Sequence, residues 1–238
     1  MKLILSAMPE ELEGLLPMLE SAAVEPGAGR EFHCGSVAGT EVVMGFSRWG
    51  KVAAASTAAY AIARYQPTAL LFTGIAGALD DRLAIGDYVL ADGLVQHDLD
   101  ASPFFAPTEV PLLGERTLPV HRDMSAALAA ALQAELAREL DASNCPRLHV
   151  GTITSGDQVI GDSLARERVR RAVPEALCVE MEGAAVAQVC YEFGVPFACL
   201  RMISDRADER LSADEVFRLA RLSGTVTASA LQRWLRAP

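Results

Sequence analysis

The feature that most constrains the fold is an alternation of two apolar patterns along the whole chain. Short β-rich runs predict strands at Lys2–Ser6, Glu41–Gly45, Ala69–Thr73, Asp87–Ala91, His149–Thr154, Leu177–Met181 and Phe197–Ile203. Between them, Ala- and Leu-rich stretches predict helices at Pro9–Glu20, Lys51–Tyr65, Asp123–Leu140, Ser163–Ala172, Gly183–Phe193 and Ala213–Leu235. Strands that read as apolar runs need cover on both faces, and the helices between them can supply it. The order therefore predicts an α/β fold with a mostly parallel or mixed sheet. No repeat and no boundary divides the 238 residues, so 1–238 is read as one domain.

Two helix starts are legible. Pro9 suits a first helical position, and Glu10 and Glu11 suit the positive end of a helix dipole. Ser212 and Glu215 have the spacing of a capping box. One segment breaks the pattern: Asp100 to Asp123 is Pro-rich, without period, and carries Phe104 and Phe105. A long irregular loop with adjacent aromatics suggests a ligand wall or a subunit contact.

Composition narrows the function classes. A net charge of −10 offers no basic stripe to phosphates, which argues against a nucleic-acid partner. "PTALLFTGIAGAL" (Pro67–Leu79) is too short and Gly-broken to span a bilayer, and "MKLILSAMPEE" reads as a first strand rather than a signal peptide. A cytoplasmic protein without membrane contact is expected. Cys34, Cys145, Cys178, Cys190 and Cys199 are odd in number and lack CxxC spacing. His33, His97, His121 and His149 show no metal-ligand spacing either. No metal is expected, and the chemistry must rest on carboxylates.

Five stretches sit where strands should end: "SAMPEE" (Ser6–Glu11), "FTGIAGAL" (Phe72–Leu79), "TSGDQVI" (Thr154–Ile160), "VEMEGAA" (Val179–Ala185) and "RMISDRAD" (Arg201–Asp208). Ligands bind beyond strand ends in sheets of this kind. Each stretch alone has a plain explanation. Gly74 and Gly77 can permit a strand-to-helix turn, Asp157 can be a turn residue, and Asp205 can cap the next segment. Together, Glu11, Glu180, Glu182 and Asp205 suit stabilisation of a cationic transition state with proton transfer, as in glycosidic-bond cleavage. A magnesium site, or unrelated caps and salt bridges, is the alternative.

At these residues the chain resembles the 5′-methylthioadenosine/S-adenosylhomocysteine nucleosidases of the purine nucleoside phosphorylase superfamily. The likeness runs nearly end to end, through "AMPEE", "GKVAAA" (Gly50–Ala55), "TGIAGAL", "IGDYVL" (Ile85–Leu90), His97–Asp98, "SGD", "VEMEGAAVAQVC" and "VPFACLRMISDRAD". The resemblance implies a three-layer α/β sandwich with a central mixed, barrel-like β-sheet flanked by helices, assembled as a homodimer. It implies hydrolysis of a small nucleoside with no cofactor. Asp205 corresponds to the acid that protonates the purine, with Ser204 beside it. Glu11 corresponds to the residue that orients and deprotonates water, for which it must be ionised. Glu182 would accept the ribose 2′-hydroxyl, with Met181 under the sugar and Glu180 nearby. Ile160 would offer backbone to the base edge, while Met8, Ala76 and Gly77 would line the ribosyl pocket. Phe104 resembles an aromatic lent to the neighbouring subunit's alkylthio pocket.

The chain departs from the family pattern at three places. Val159 stands where an aromatic usually stacks on the purine, and Ala213 aligns with a second aromatic. Arg48 and Trp49 replace smaller residues before "GKV"; Trp49 is either a pocket wall or cover for a helix end. Futalosine hydrolysis and phosphorolysis remain the alternatives, with Arg48 as the candidate phosphate ligand.

Overall fold

Along β1 (Lys2–Ser6), Leu3 and Leu5 enter one apolar core and Ile4 enters another, as the two-residue period of a strand requires. The same division holds in β4 (Thr40–Phe46), β5 (Leu70–Ala78) and β10 (Phe197–Asp205). These strands are buried on both faces, which is why they read as apolar runs. On one side α2 (Lys51–Tyr65) and α5 (Gly183–Phe193) cover the sheet; on the other lie α1 (Pro9–Leu12), α3 (Arg122–Leu136) and α6 (Ala213–Arg236). This computed structural model describes residues 1–138, 146–209 and 211–236. Residues 139 and 140 of the expected Asp123–Leu140 helix, and Cys145, lie outside them.

The remaining elements are β2 (Glu20–Gly27), β3 (Arg30–Val37), β6 (Tyr88–Gln96), β7 (Leu118–Pro119), β8 (Leu148–Ser155), α4 (Ser163–Ala172) and β9 (Ala176–Glu180). The strand order is β10-β6-β8-β9-β5-β1-β4-β3-β2, and β10 also pairs with β5. That pairing closes β5, β6, β8, β9 and β10 into a five-stranded barrel, while β1, β4, β3 and β2 extend it as an open sheet. Pairings of both senses occur, so the sheet is mixed, as expected. Among the described residues no helix is long and apolar enough to cross a membrane.

Three expectations need correction. The helix expected over Pro9–Glu20 ends at Leu12; a 3₁₀ turn at Leu16–Met18 comes next and β2 begins at Glu20. Pro17 cannot donate to a helical ladder, and Gly14 lies so close to Gly224 and Thr225 of α6 that a Cβ would strike their backbone. The sequence reading also lacks β2, β3 and the short β7, which lies within the segment read as an irregular loop. Finally, Gly74 and Gly77 lie inside β5 rather than at a strand-to-helix turn.

The topology sets up the site. β1, β4, β5 and β10 are parallel and deliver their C-terminal ends to one edge. β9 meets β5 antiparallel at Gly77 and Ala78, which brings Val179–Glu182 to the same edge.

Candidate active site

These strand ends surround an open cavity of about 720 Å³, counting its solvent-filled mouth. The β1–α1 corner contributes Met8 and Glu11, β5 contributes Ala76 and Gly77, and the end of β10 contributes Ser204 and Asp205. The β9–α5 corner supplies Glu180, Met181 and Glu182, and the segment after β8 supplies Val159 and Ile160. Trp49, after β4, forms part of the wall and is 50% exposed. Of the residues expected at the site, Phe104 alone lies outside this cavity, at 86% exposure. Ala213, the first residue of α6, is not in the lining, but Val216 of the same helix is.

Glu11 is more than a dipole ornament. Its carboxylate is buried and accepts the N–H groups of Ala7 (2.8 Å), Met8 (3.0 Å) and Ile75 (3.0 Å). Burial pushes its pKa up, opposed by the Arg201 charge and by those three amides. The sequence reading expects an ionised Glu11; desolvation at this depth works against that.

Glu180 and Glu182 stand two residues apart but in different surroundings. Glu180 ends β9, and its oxygens accept the amides of Glu182 (3.1 Å) and Gly183 (2.8 and 2.9 Å), the Ser155 hydroxyl and the Arg201 guanidinium. Its lone pairs are thus taken up by the start of α5 and by its ion pair. Glu182 is the residue before α5, where the backbone leaves the strand. Its Oε1 accepts Gly50 N–H at 2.8 Å, while its Oε2 stands 3.8 Å from Arg201. Burial first, and then the Glu180 charge, push its pKa up to about 8. Of the two carboxylates, Glu182 keeps an oxygen free to accept from a ligand.

Arg201 is the residue that the sequence reading passed over. It is 1% exposed, ion-paired with Glu180, and lies with its guanidinium 4.5 Å from the centre of the Phe72 ring. Burial alone would lower its pKa, but the surrounding anions, led by Glu180, outweigh that and hold it charged. Gly74 is required here because a Cβ would collide with both Glu11 and Arg201. The signal was a lone charge within the apolar run "ACLRMIS". A buried charge needs partners, and three carboxylates supply them.

Asp205 ends β10. Its Oδ2 accepts the Ser204 hydroxyl at 2.6 Å and its Oδ1 accepts Ala207 N–H at 2.7 Å. A Cβ on Gly77 would stand 2.8 Å from that Oδ1, so the second glycine of "TGIAG" makes room for the aspartate. Arg48 turns away from the cavity and donates to the Gly29 carbonyl at 2.7 Å. Among the described residues, no lysine or arginine lines the cavity.

The arrangement offers one carboxyl group at the β10 end, one at the β1 corner, two at the β9 corner, and an apolar wall between them. The model of the phosphorylase superfamily matches residues 2–236. A 5′-methylthioadenosine/S-adenosylhomocysteine nucleosidase of Staphylococcus aureus (strain JH9) is 34% identical over 234 residues, covering 96% of this chain and 97% of that protein. The structure of the S-adenosylhomocysteine nucleosidase of Streptococcus pyogenes with 5-methylthiotubericidin superposes with a TM-score of 0.87 at 32% identity, covering 99% and 96% of the two chains. The futalosine hydrolase of Helicobacter pylori superposes with a TM-score of 0.87 at 31% identity, covering 98% and 96%.

Proposed function

The chain belongs to the phosphorylase superfamily, among its 5′-methylthioadenosine/S-adenosylhomocysteine nucleosidases, and we propose that it hydrolyses the N-glycosidic bond of these two nucleosides, releasing adenine. The observation that carries the reading is the set of carboxyl groups lining one cavity: Asp205 from β10 and Glu11 and Glu182 from the opposite corners, with the fourth, Glu180, taken up by Arg201.

Asp205 donates a proton to the leaving purine, whose departure leaves an oxocarbenium-like ribosyl cation. Glu182 accepts the ribose 2′-hydroxyl through its free oxygen and, in its ionised form, stabilises charge that exists mainly in the transition state. Glu11 takes a proton from the attacking water. The upward push that burial gives its pKa makes its ionised form the stronger base. Arg201 and Glu180 hold the corner together, and Ile160 offers backbone to the base.

Hydrolysis rather than phosphorolysis is supported by the absence of cationic side chains from the lining among the described residues, and by Arg48 facing the Gly29 carbonyl. Futalosine hydrolysis is the second reading, favoured by the structural likeness to that hydrolase. Base release from a panel of methylthioadenosine, S-adenosylhomocysteine, futalosine and inosine, with and without phosphate, tests both; strict dependence on phosphate would sink the hydrolase reading. Asp205→Asn should lower turnover at least about a hundredfold while adenine still binds.

We further propose a homodimer in which exposed Phe104 covers the partner's alkylthio pocket. Sedimentation at twice the chain mass, and a higher KM for Phe104→Ala, are the results expected.

A further inference from the structure

Three short motifs have no part in this chemistry: Gly50–Lys51 of "GKV", His97–Asp98, and Ser155–Asp157 of "SGD". In the structure they interlock. The Lys51 backbone N–H donates to Asp157 Oδ1 at 2.7 Å, Asp157 N–H donates to Asp98 Oδ2 at 2.8 Å, and Lys51 Nζ donates to Asp98 Oδ1 at 2.6 Å. Three residues from three distant segments thereby close a ring. Lys51 Nζ also donates to Gln96 Oε1 at 3.1 Å, and the Gln96 amide reaches Gln188 of α5 at 2.9 Å. Gly156 belongs to the same packing: a Cβ there would strike the His97 ring and stand 3.0 Å from Asp98 Cγ. Burial would raise the Asp98 carboxyl, yet Lys51 and the Asp157 amide together hold it below the usual carboxylate range.

Two members of the ring are next to groups that face the cavity. Gly50, beside Lys51, donates to Glu182 Oε1 at 2.8 Å. Gln158, Val159 and Ile160 come directly after Asp157 and line the wall. We propose that Lys51, Asp98 and Asp157 are positioning residues, a clasp that fixes Glu182 relative to the Gln158–Ile160 wall. The proposal rests on the assignment of Glu182 to the ribose 2′-hydroxyl. A carboxylate that must meet a hydroxyl while the base is held elsewhere gains from such a tie, because small misplacements cost large factors in rate.

The test compares 5′-methylthioadenosine with its 2′-deoxy analogue on the unsubstituted enzyme, Lys51→Met, Asp98→Ala, the double variant and Lys51→Arg. The unsubstituted enzyme should prefer the 2′-hydroxyl compound in kcat/KM. Lys51→Met and Asp98→Ala should each cut that preference about tenfold, mainly through kcat, and the double variant should lose no more than either single one. Lys51→Arg, which keeps a cation in reach of Asp98, should retain at least half of the preference. A merely structural role would depress both substrates together and leave their ratio intact. That result, or additive losses in the double variant, overturns the clasp. An unsubstituted enzyme indifferent to the 2′-hydroxyl would overturn the Glu182 assignment and the clasp with it, and is told apart because it needs no substitution to be seen.

Discussion

At the scale of single residues, the pair Glu180 and Glu182 shows how position decides role. Both carboxylates are buried, yet one has its lone pairs filled by Arg201, Ser155 and the first amides of α5, and the other keeps an oxygen toward the cavity. Alternation along a strand would have treated them alike. The division comes from the backbone leaving the strand between them, which no spacing of two residues reveals. The Val159 side of the cavity has the opposite character. Val159 is 62% exposed and lines the wall without the flat face that a purine stacks on. Val159→Phe should therefore lower the KM for methylthioadenosine about twofold to tenfold, the equivalent of about 0.5–1.5 kcal/mol for an aromatic pair. An unchanged KM would mean that the base does not lie against this side chain. Steady-state kinetics on the two proteins decide it.

At the scale of elements, the position of Glu11 depends on a contact between α6 and the backbone of the α1 corner. A Cβ on Gly224 of α6 would stand 2.5 Å from the carbonyl oxygen of Glu11. Helix α6 thus presses directly on the backbone that carries Glu11, and Gly14 opposes it from the other side. Gly224→Ala should push the helices apart, costing about 1–3 kcal/mol in urea unfolding, as overpacking does. It should also lower kcat, since Glu11 moves with its backbone; full activity with full stability would show that this contact does not set the position of Glu11. Neither glycine carried a signal in the sequence, because its meaning lies in a partner some 200 residues away. The elements themselves were legible where periodicity was strong: Lys51–Tyr65, Ser163–Ala172 and Gly183–Phe193 are helices over those bounds. β2 was not legible, since it is largely exposed along its length and shows no apolar alternation. The overlooked signals were the two-residue turns Ala28–Gly29 and Ala38–Gly39, all four residues at positive φ, which join β2 to β3 and β3 to β4.

At the scale of the whole molecule, the site is a load on stability that varies with pH. The pKa of Glu182 is pushed up to about 8, first by burial and then by the Glu180 charge, and that of Glu11 is pushed up by burial. In the unfolded chain both return to the ordinary carboxylate range. Between that range and about pH 8 native Glu182 therefore holds a proton that the unfolded state has released, and the raised pKa of Glu11 acts in the same direction. The slope of unfolding free energy with pH tracks the difference in bound protons, unfolded minus native, and is negative here. Glu182 makes the ligand-free protein less stable as pH rises from about 5 to 8.5, the reverse of a salt-bridged carboxylate. Glu182→Gln removes that group while keeping nearly the same shape. Its loss of stability between pH 5.5 and pH 8.5 should be smaller than that of the unsubstituted protein by about 2 kcal/mol or more, since each pKa unit is worth about 1.4 kcal/mol. Urea midpoints at the two pH values provide the measurement, and parallel curves for the two proteins would show that Glu182 titrates near its unfolded value. A smaller loss in the variant would mean that the free oxygen of Glu182 is kept at a cost in stability, as expected where a buried carboxylate is retained for its chemistry.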